Sequence, residues 1–210
     1  MAQLLLLHHV RGITPGVSAL ANAWRSAGHE VVLPDLLDGR VFATVPEGVD
    51  YARSVGFETI SVRGEEAAAD LSPGFVVLGI SLGAIPAMRV GVGNDAVAAV
   101  ILAGACLDED GVGAPWPRSL PLRVLASEGD EDFVMDGDLA AAEALVARGD
   151  DVKLRLMPGG EHLFMDAPDP ASLAATETLY ELVLRWLERI DESRPEEEDI
   201  EDPVEDDLFL

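Results

Sequence analysis

Cysteine is almost missing from this 210-residue chain, whose only example is Cys106. A single cysteine cannot form an intrachain disulfide, and it cannot build a thiolate cage for a structural metal. It follows Ala103-Gly104-Ala105 at the end of an apolar run, so we expect a small buried side chain rather than a reactive thiol. Cysteine usage therefore fits a reducing compartment.

Positive charge is also scarce. The chain has 14 basic residues against 39 acidic ones, a formal net charge of -25, and Lys153 is its only lysine. Such acidity argues strongly against nucleic acid or an anionic membrane as a partner. Part of the excess is local, since residues 191–210 contain 11 acidic residues and one arginine. Adaptation to high salt and a GC-rich genome would both produce this pattern.

Long apolar runs are absent as well. No stretch reaches the roughly 20 apolar residues that a membrane-spanning helix needs. The opening MAQLLLL has no basic leader and no small-residue cleavage site, so it predicts a first strand rather than a signal peptide. We therefore expect a cytoplasmic protein. Residues 1–190 are expected to form one domain, and residues 191–210 an acidic, disordered, solubilising tail; a partner-binding tail is the alternative.

Short apolar runs alternate with helical patterns along residues 1–190. This alternation predicts an α/β fold, in which a mostly parallel, twisted sheet has helices on both faces. The predicted strands are residues 4–7, 30–34, 96–102, 122–126 and 152–157, together with an apolar run that begins at Phe75. The predicted helices are residues 15–27, 45–55, 61–70, 82–90, 137–148 and 171–189, and residues 108–120 are expected to form a surface loop.

The run from Phe75 ends in the pentapeptide Gly79-Ile80-Ser81-Leu82-Gly83. A buried strand that enters a G-x-S-x-G turn and then a helix presents the serine hydroxyl in a strained backbone conformation, where only small neighbours fit. This pattern is typical of serine hydrolases, and Ser81 is the candidate nucleophile. The alternative is a glycine-rich turn whose serine only caps the helix.

A serine hydroxyl needs a histidine to accept its proton and a carboxylate to orient that histidine. His162 follows the last predicted strand, so we expect it to be the base; a solvated loop histidine is the alternative. His29 lies in a turn at the opposite edge of the sheet, where we expect it to be solvated. His8 and His9 precede the serine, whereas the expected order is serine, acid, histidine.

The carboxylate of this triad is expected on the turn after the strand at residues 122–126. Asp132 and Asp130 both lie there, and we favour Asp132, with Asp130 as the alternative. Asp136 and Asp138 are better interpreted as N-terminal charges of the next helix.

Acyl transfer also needs two preorganised donors for the oxyanion, usually backbone N–H groups. The N–H of Leu82, directly after the nucleophile, is the first candidate. The second is the N–H of Val10 in the loop after the first strand, where Gly12 lets the chain bend close to the serine.

Four motifs in this order resemble the dienelactone hydrolase family of the α/β-hydrolase superfamily. They are HHVRG at residues 8–12, PDLLDGR at 34–40, GISLG at 79–83 and PGGEHLF at 158–164. The resemblance covers roughly residues 3–190. It implies a compact α/β-hydrolase without a large cap, without a metal or organic cofactor, that hydrolyses a small-molecule lactone or other ester through an acyl-enzyme.

The chain departs from this family at two places. The best-known members carry a cysteine nucleophile, where Ser81 stands here, and a glutamate in the loop after the first strand, where His8 and His9 stand. A serine needs a conventional base, which His162 can supply. Both departures weaken dienelactone itself as the expected substrate. An acyl peptidase, a thioesterase and a non-catalytic binding protein of the same fold remain alternatives.

Three further residues are candidates for substrate binding. His9 is expected to line the pocket or to help place the substrate carbonyl. Arg11 and Arg40 are expected to bind a substrate carboxylate, because the guanidinium group suits bidentate contacts. Surface arginines that balance an acidic body are the alternative.

Overall fold

The computed structural model describes residues 1–193, and within them six strands form one parallel sheet. The strands are β1 (Gln3–Leu7), β2 (Glu30–Val32), β3 (Phe75–Ile80), β4 (Val97–Ala103), β5 (Leu122–Ser127) and β6 (Val152–Met157). Their order across the sheet is β2-β1-β3-β4-β5-β6, with every pairing parallel. The predicted α/β architecture is therefore confirmed.

Helices cover both faces of this sheet. They are α1 (Pro15–Ser26), α2 (Val45–Val55), α3 (Phe57–Glu66), α4 (Ala84–Gly93), α5 (Glu109–Val112), α6 (Glu131–Met135), α7 (Asp138–Ala147) and α8 (Pro170–Ser193). The core residues of α1 and α8 form one apolar cluster, and those of α3, α4 and α7 form another. Within residues 1–193 no cap domain interrupts this layered arrangement.

Strand β1 contains four consecutive leucines, Leu4 to Leu7, which are divided between the two faces of the sheet. Leu4 and Leu6 belong to the cluster under α1 and α8, whereas Leu5 and Leu7 belong to the opposite cluster. Successive side chains of a strand point to opposite faces, and both faces of a parallel sheet are covered. All four side chains are fully buried. Truncating one of them to alanine should cost about 2–5 kcal/mol of stability.

Local signals set several helix boundaries. Thr14 caps α1 by accepting the N–H of Val17, and Pro15 occupies the first helical position. Thr44 and Glu47 form a reciprocal capping box at the start of α2. The predicted bounds of α2 coincide with the observed ones, as this capping box would lead one to expect. The predicted bounds of β6 also coincide with the observed ones.

Other helix boundaries differ from the prediction. Gly56 adopts φ 93° and ends α2 directly against α3, so α3 starts at Phe57 instead of residue 61. The helix predicted to end at residue 90 continues to Gly93 in α4. A Cβ at Gly91 would lie 2.8 Å from the Trp116 ring, so this glycine permits close packing rather than ending the helix.

The chain reverses its direction of travel across the sheet between β1 and β3, since β2 lies on one side and β4 to β6 on the other. In open parallel sheets, ligands bind at such a point, outside the carboxyl ends of the strands. The loops that follow β1, β3, β5 and β6 all reach this edge, and they contain the predicted site residues except Arg40, which follows β2.

The expected boundary at residue 190 does not end a helix. Residues 191–193 continue α8, and Ser193 is the last residue that the structure describes. The rest of the expected acidic tail, residues 194–210, lies outside the described residues.

Candidate active site

Ser81 lies at a sharp turn between β3 and α4. Its φ is 48°, a left-handed conformation that costs a residue other than glycine about 1–3 kcal/mol. The flanking glycines explain how the turn fits. A Cβ at Gly83 would collide with the carbonyl oxygen of Leu7. A Cβ at Gly79 would lie 2.6 Å from the Cβ of Ala87. The G-x-S-x-G pattern therefore reflects close packing on both sides of the serine.

Two hydrogen bonds connect Ser81 to a buried carboxylate through His162. The Nε2 atom of His162 lies 2.8 Å from Ser81 Oγ, and its Nδ1 atom lies 2.8 Å from Asp130 Oδ2. Because an ionised carboxylate can only accept, Nδ1 carries the proton and Nε2 is left to accept from the serine hydroxyl. The structure thus brings the predicted serine and histidine together.

The expectation of Asp132 as the partner of His162 is corrected to Asp130, the alternative. Asp130 is the N-cap of the short helix α6, where its Oδ1 accepts the N–H of Phe133 at 3.1 Å and leaves Oδ2 for His162. Its carboxylate is almost fully buried. Asp132 is the second residue of α6, and its side chain is exposed.

Backbone and hydroxyl contacts tie the loop of Asp130 to the loop of His162. The N–H of Gly129 donates to the carbonyl of Gly159 at 2.9 Å. The hydroxyl of Ser127 donates to the carbonyl of Glu161, also at 2.9 Å. These contacts fix the two loops relative to each other on either side of the Asp130–His162 pair.

Opposing effects set the pKa of His162. Burial of the ring lowers its pKa, but the hydrogen bond and charge of Asp130, with the charges of Asp132 and Asp138, more than compensate. The net result is a pKa above the ordinary histidine value of 6.5. The raised pKa makes the ring a better proton acceptor, which suits a general base.

Val10 and Leu82, the two predicted oxyanion donors, line the same cavity as Ser81. Both residues are nearly fully buried. The carbonyl of Val10 packs against Gly48 of α2, where a Cβ would collide with it. Helix α2 therefore holds the Val10 peptide in place from behind.

The turn after β1 leaves the Val10 N–H available. The next two N–H groups both point back to His9, Arg11 to the ring Nδ1 at 3.2 Å and Gly12 to the carbonyl at 3.0 Å. Within residues 1–193, no hydrogen bond uses the N–H of Val10 itself. This geometry supports its expected role.

His9 does not line the pocket, which corrects the expectation for this residue. Its side chain is fully buried; Nδ1 accepts from Arg11, and Nε2 lies 3.1 Å from Asp166 Oδ2. Asp166 also accepts the N–H of Gly16 at 3.1 Å. Burial alone would raise the pKa of Asp166, but the hydrogen bonds of His9 and Thr14 and the charges nearby hold it below its ordinary value. Sequence reasoning missed Asp166, which lies four residues after the base.

His8 is a second fully buried histidine. Its Nδ1 lies 2.8 Å from the carbonyl of His9, and its Nε2 accepts the N–H of Leu36 at 3.0 Å. Burial is the main cause that lowers the pKa of His8 from 6.5 to about 4. His8 is therefore neutral, and it joins the loops that follow β1 and β2.

The two arginines expected at the substrate differ in position. Arg11 borders a cavity beside His162, where its Nη1 lies 3.5 Å from Asp166 and its Nε donates to the carbonyl of Phe42. Arg40 instead lies over the ring of Tyr51, 4.6 Å from the centroid. The structure brings Arg11 to the site and does not bring Arg40 to it.

No family model and no curated protein matches the chain. Solved structures match along most of its length. A dienelactone hydrolase from Anabaena variabilis is 16% identical with a TM-score of 0.58, over 89% of this chain and 87% of that one. A dienelactone hydrolase-like promiscuous phosphotriesterase from metagenomic libraries is 16% identical with a TM-score of 0.64, over 89% and 87%. The esterase PE8 is 21% identical with a TM-score of 0.60, over 86% and 92%.

The parallel sheet, its strand order and these structural neighbours together decide the architecture. The chain has the α/β-hydrolase fold. The resemblance drawn from the four sequence motifs is thereby confirmed at the level of the fold.

Two cavities meet at His162 in this fold. One, of about 430 Å³, holds Ser81 and has an apolar wall. The other, of about 580 Å³, lies beyond His162 and is lined mainly by polar and acidic groups, with Arg11 among them. The apolar wall of the first cavity consists of Val10, Val45, Val49, Phe57, Leu82, Ile85 and Leu107.

Cys106 and His29 are both buried. Cys106 is buried, as expected, and burial, with the charges of Asp138 and Asp108, raises the pKa of its thiol to about 12. His29 was expected to be solvated, and this is wrong. It is buried beside the end of α8, with Nδ1 3.4 Å from Asp191 Oδ2.

One group of side chains in residues 1–193 has the composition of a metal site. Ligand atoms of Asp130, Asp132 and His162 lie within 4.8 Å of one another. Both oxygens of Asp130 and both ring nitrogens of His162 already meet protein groups. A metal ion here would have to displace the hydrogen bonds that connect Asp130 to Ser81.

No helix in the described residues is both long and apolar enough to cross a membrane.

Proposed function

We propose that this protein is a serine hydrolase that cleaves a small ester or lactone through an acyl-enzyme. The observation that carries the proposal is the unbroken pair of 2.8 Å hydrogen bonds from Ser81 Oγ through His162 to Asp130, at a strained turn. The esterases and dienelactone hydrolases among the structural neighbours support the same class of reaction.

The reaction begins with attack of Ser81 Oγ on the ester carbonyl carbon. His162 Nε2 accepts the hydroxyl proton as the new C–O bond forms, and Asp130 stabilises the resulting imidazolium. The N–H groups of Val10 and Leu82 bind the oxyanion. When the tetrahedral intermediate collapses, the bond to the leaving alkoxide breaks, and His162 transfers its proton to that oxygen.

The second half of the reaction repeats these roles with water. His162 removes a proton from a water molecule, whose oxygen attacks the acyl carbon on Ser81. Collapse of the second intermediate releases the carboxylic acid and returns the proton to Ser81. Ser81, His162 and Asp130 already lie within hydrogen-bond distance of one another, and none of these steps uses a metal or an organic cofactor.

The cavities favour a small, uncharged substrate. The apolar wall beside Ser81 suits an alkyl or aryl group, because burial of apolar surface drives such binding. Arg11 could attract a carboxylate, but it is close to Asp166 and shares its cavity with further acidic side chains. A neutral ester or lactone is therefore preferred over a carboxylated one.

A fluorophosphonate probe tests this proposal directly. We expect stoichiometric labelling of the wild type at Ser81, loss of labelling in Ser81→Ala, and unchanged labelling in the matched control Ser54→Ala, whose side chain is exposed on α2. Turnover should be screened in parallel on short acyl esters, lactones, enol-lactones and a phosphate triester. A folded wild type that neither reacts with the probe nor turns over any of these substrates would indicate a binding protein instead.

A further inference from the structure

Positive charge is concentrated in one place on this acidic chain. Four basic side chains line a groove of about 460 Å³ between the β5–β6 end of the sheet and α8. A fifth basic side chain, Arg189, lies over the ring of Trp186, with its guanidinium carbon 4.8 Å from the ring centroid. The guanidinium carbon of Arg123, in the groove, lies 5.4 Å from the same centroid. We call this cavity the basic groove, after its four cationic residues Arg123, Lys153, Arg155 and Arg185.

Two of these cations stand out in residues 1–193. Lys153 and Arg155 make no ion pair, hydrogen bond or aromatic contact within that part of the chain, and both are exposed. Each of the eleven other basic residues there meets an acceptor or a ring. These two cations, neighbours on one face of β6, are therefore available to pair with a further anionic group.

The floor of the basic groove is apolar. Leu125 is buried there, and Leu182 of α8 is partly buried beside it. A cationic rim above an apolar floor suits a segment that mixes carboxylates with aliphatic side chains. A small inorganic anion would leave the floor unused.

Residues 194–210 have the matching chemistry. They contain nine acidic residues and one arginine, a formal charge of -8, together with aliphatic residues such as Ile200 and Val204. We propose that this C-terminal segment binds in the basic groove of its own chain, with carboxylates against Lys153 and Arg155 and aliphatic side chains on the leucine floor.

The connection is short enough for binding within one chain. Helix α8 supplies Arg185, which lies eight residues before Ser193, the last described residue, or about 12 Å along the helix axis. An extended chain covers this distance in about four residues. More than half of the 17 residues from 194 to 210 therefore remain to lie in the groove. Tethering gives the segment a high effective concentration there.

Paramagnetic relaxation enhancement tests the proposal on the full chain. A nitroxide is attached at Val204→Cys; Cys106 is buried with a raised thiol pKa, so it should not react, and wild type treated with the same reagent checks this. We expect loss of amide signal at residues 152–157 of β6, and intact signals in α3 on the opposite face of the sheet. The loss should vanish in 1 M salt, where the Debye length falls to about 3 Å.

Charge reversal provides the matched control. Arg155→Glu should restore the β6 signals, whereas Arg118→Glu, an exposed arginine outside the groove, should leave the loss unchanged. If β6 signals in the labelled chain do not change, the proposal is wrong, and the cations only protect the edge strand from aggregation. Mixing spin-labelled, unenriched protein with unlabelled, ¹⁵N-enriched protein tests exchange between chains. Signal loss in that mixture would replace the proposal by binding to a second copy.

Discussion

The histidines that follow β1 and the histidine that follows β6 lie at the same edge of the sheet but in opposite environments. His8 and His9 are fully buried, and protein groups meet both nitrogens of each ring. His162 has a carboxylate on one nitrogen only, faces the serine hydroxyl with the other, and borders two cavities.

This contrast shows what distinguishes a base from a structural histidine. A neighbouring carboxylate does not suffice, because His9 has Asp166 in the same relation as His162 has Asp130. The group on the second nitrogen decides the role: a backbone N–H for His9, and a reactive hydroxyl beside a cavity for His162. In the proposed mechanism, His162 of the loop after β6 acts as the base, whereas His8 and His9 only hold the loop after β1, with its Val10 N–H, in place.

The largest expected effect separates the two candidate acids. Asp130→Asn should lower kcat by about 10³- to 10⁴-fold, because an amide no longer holds the Nδ1–H tautomer of His162. Asparagine is also a good N-cap, so α6 should remain intact. Asp132→Asn should change kcat by less than about tenfold, since this carboxylate is exposed. Turnover of p-nitrophenyl acetate measures both, and equal losses would contradict the assignment.

The next effect concerns stability and the buried His8. Its folded pKa of about 4 lies below the unfolded value of 6.5, so the unfolded chain binds the proton first as pH falls. The contribution of His8 is present above pH 6.5 and is lost toward pH 4, by about 3 kcal/mol. Urea unfolding at pH 7 and pH 4.5 should show a smaller loss for His8→Gln than for wild type. Equal losses would show that His8 titrates normally.

A smaller effect tests the positioning role of the His9–Asp166 pair. His9→Ala and Asp166→Asn should each lower kcat by about 10- to 100-fold with little change in KM, because a displaced Val10 N–H weakens oxyanion binding only in the transition state. A trifluoromethyl ketone that mimics the oxyanion should lose affinity in parallel. A change confined to KM would contradict this role.

The smallest effect is a shift in the pH profile. Activity requires neutral His162, so kcat/KM should rise with pH through a midpoint above 6.5. The charge of Asp132 contributes to this raised pKa, so Asp132→Asn should lower the midpoint by less than about one unit. Asp95→Asn, at the opposite edge of the sheet, provides the control and should leave the midpoint unchanged. An upward shift would reverse the inferred sign.

Much of this arrangement is predictable from local sequence. The central strands β3 and β4 are apolar because both faces of the sheet are covered there. The capping box of Thr44 and Glu47 marks the start of α2. Ser81 follows an apolar run, and His162 follows the last predicted strand; a glycine-rich turn carries each of them. Motif and chain order therefore suffice to propose the pair.

The errors lie where a short helix or a distant partner decides the outcome. Two positions separate Asp130 from Asp132, and only the start of α6 at Glu131 makes Asp130 the cap; the apolar run Phe133-Val134-Met135 was the available signal. Burial of His9 depends on Asp166, 157 residues later in the chain. Burial of His29 depends on Asp191 at the end of α8. Such pairs leave no periodic pattern in the sequence.

The close approach of Gly83 to the carbonyl of Leu7 limits which substitutions the site can accept during evolution. The serine turn rests directly on the end of β1, from which the Val10 loop departs. A larger residue at position 83 would move the nucleophile and an oxyanion donor together, so no single compensating substitution restores both. Variation in substrate preference is therefore expected in the residues that wall the cavities, while this glycine and the strand end beneath it stay fixed.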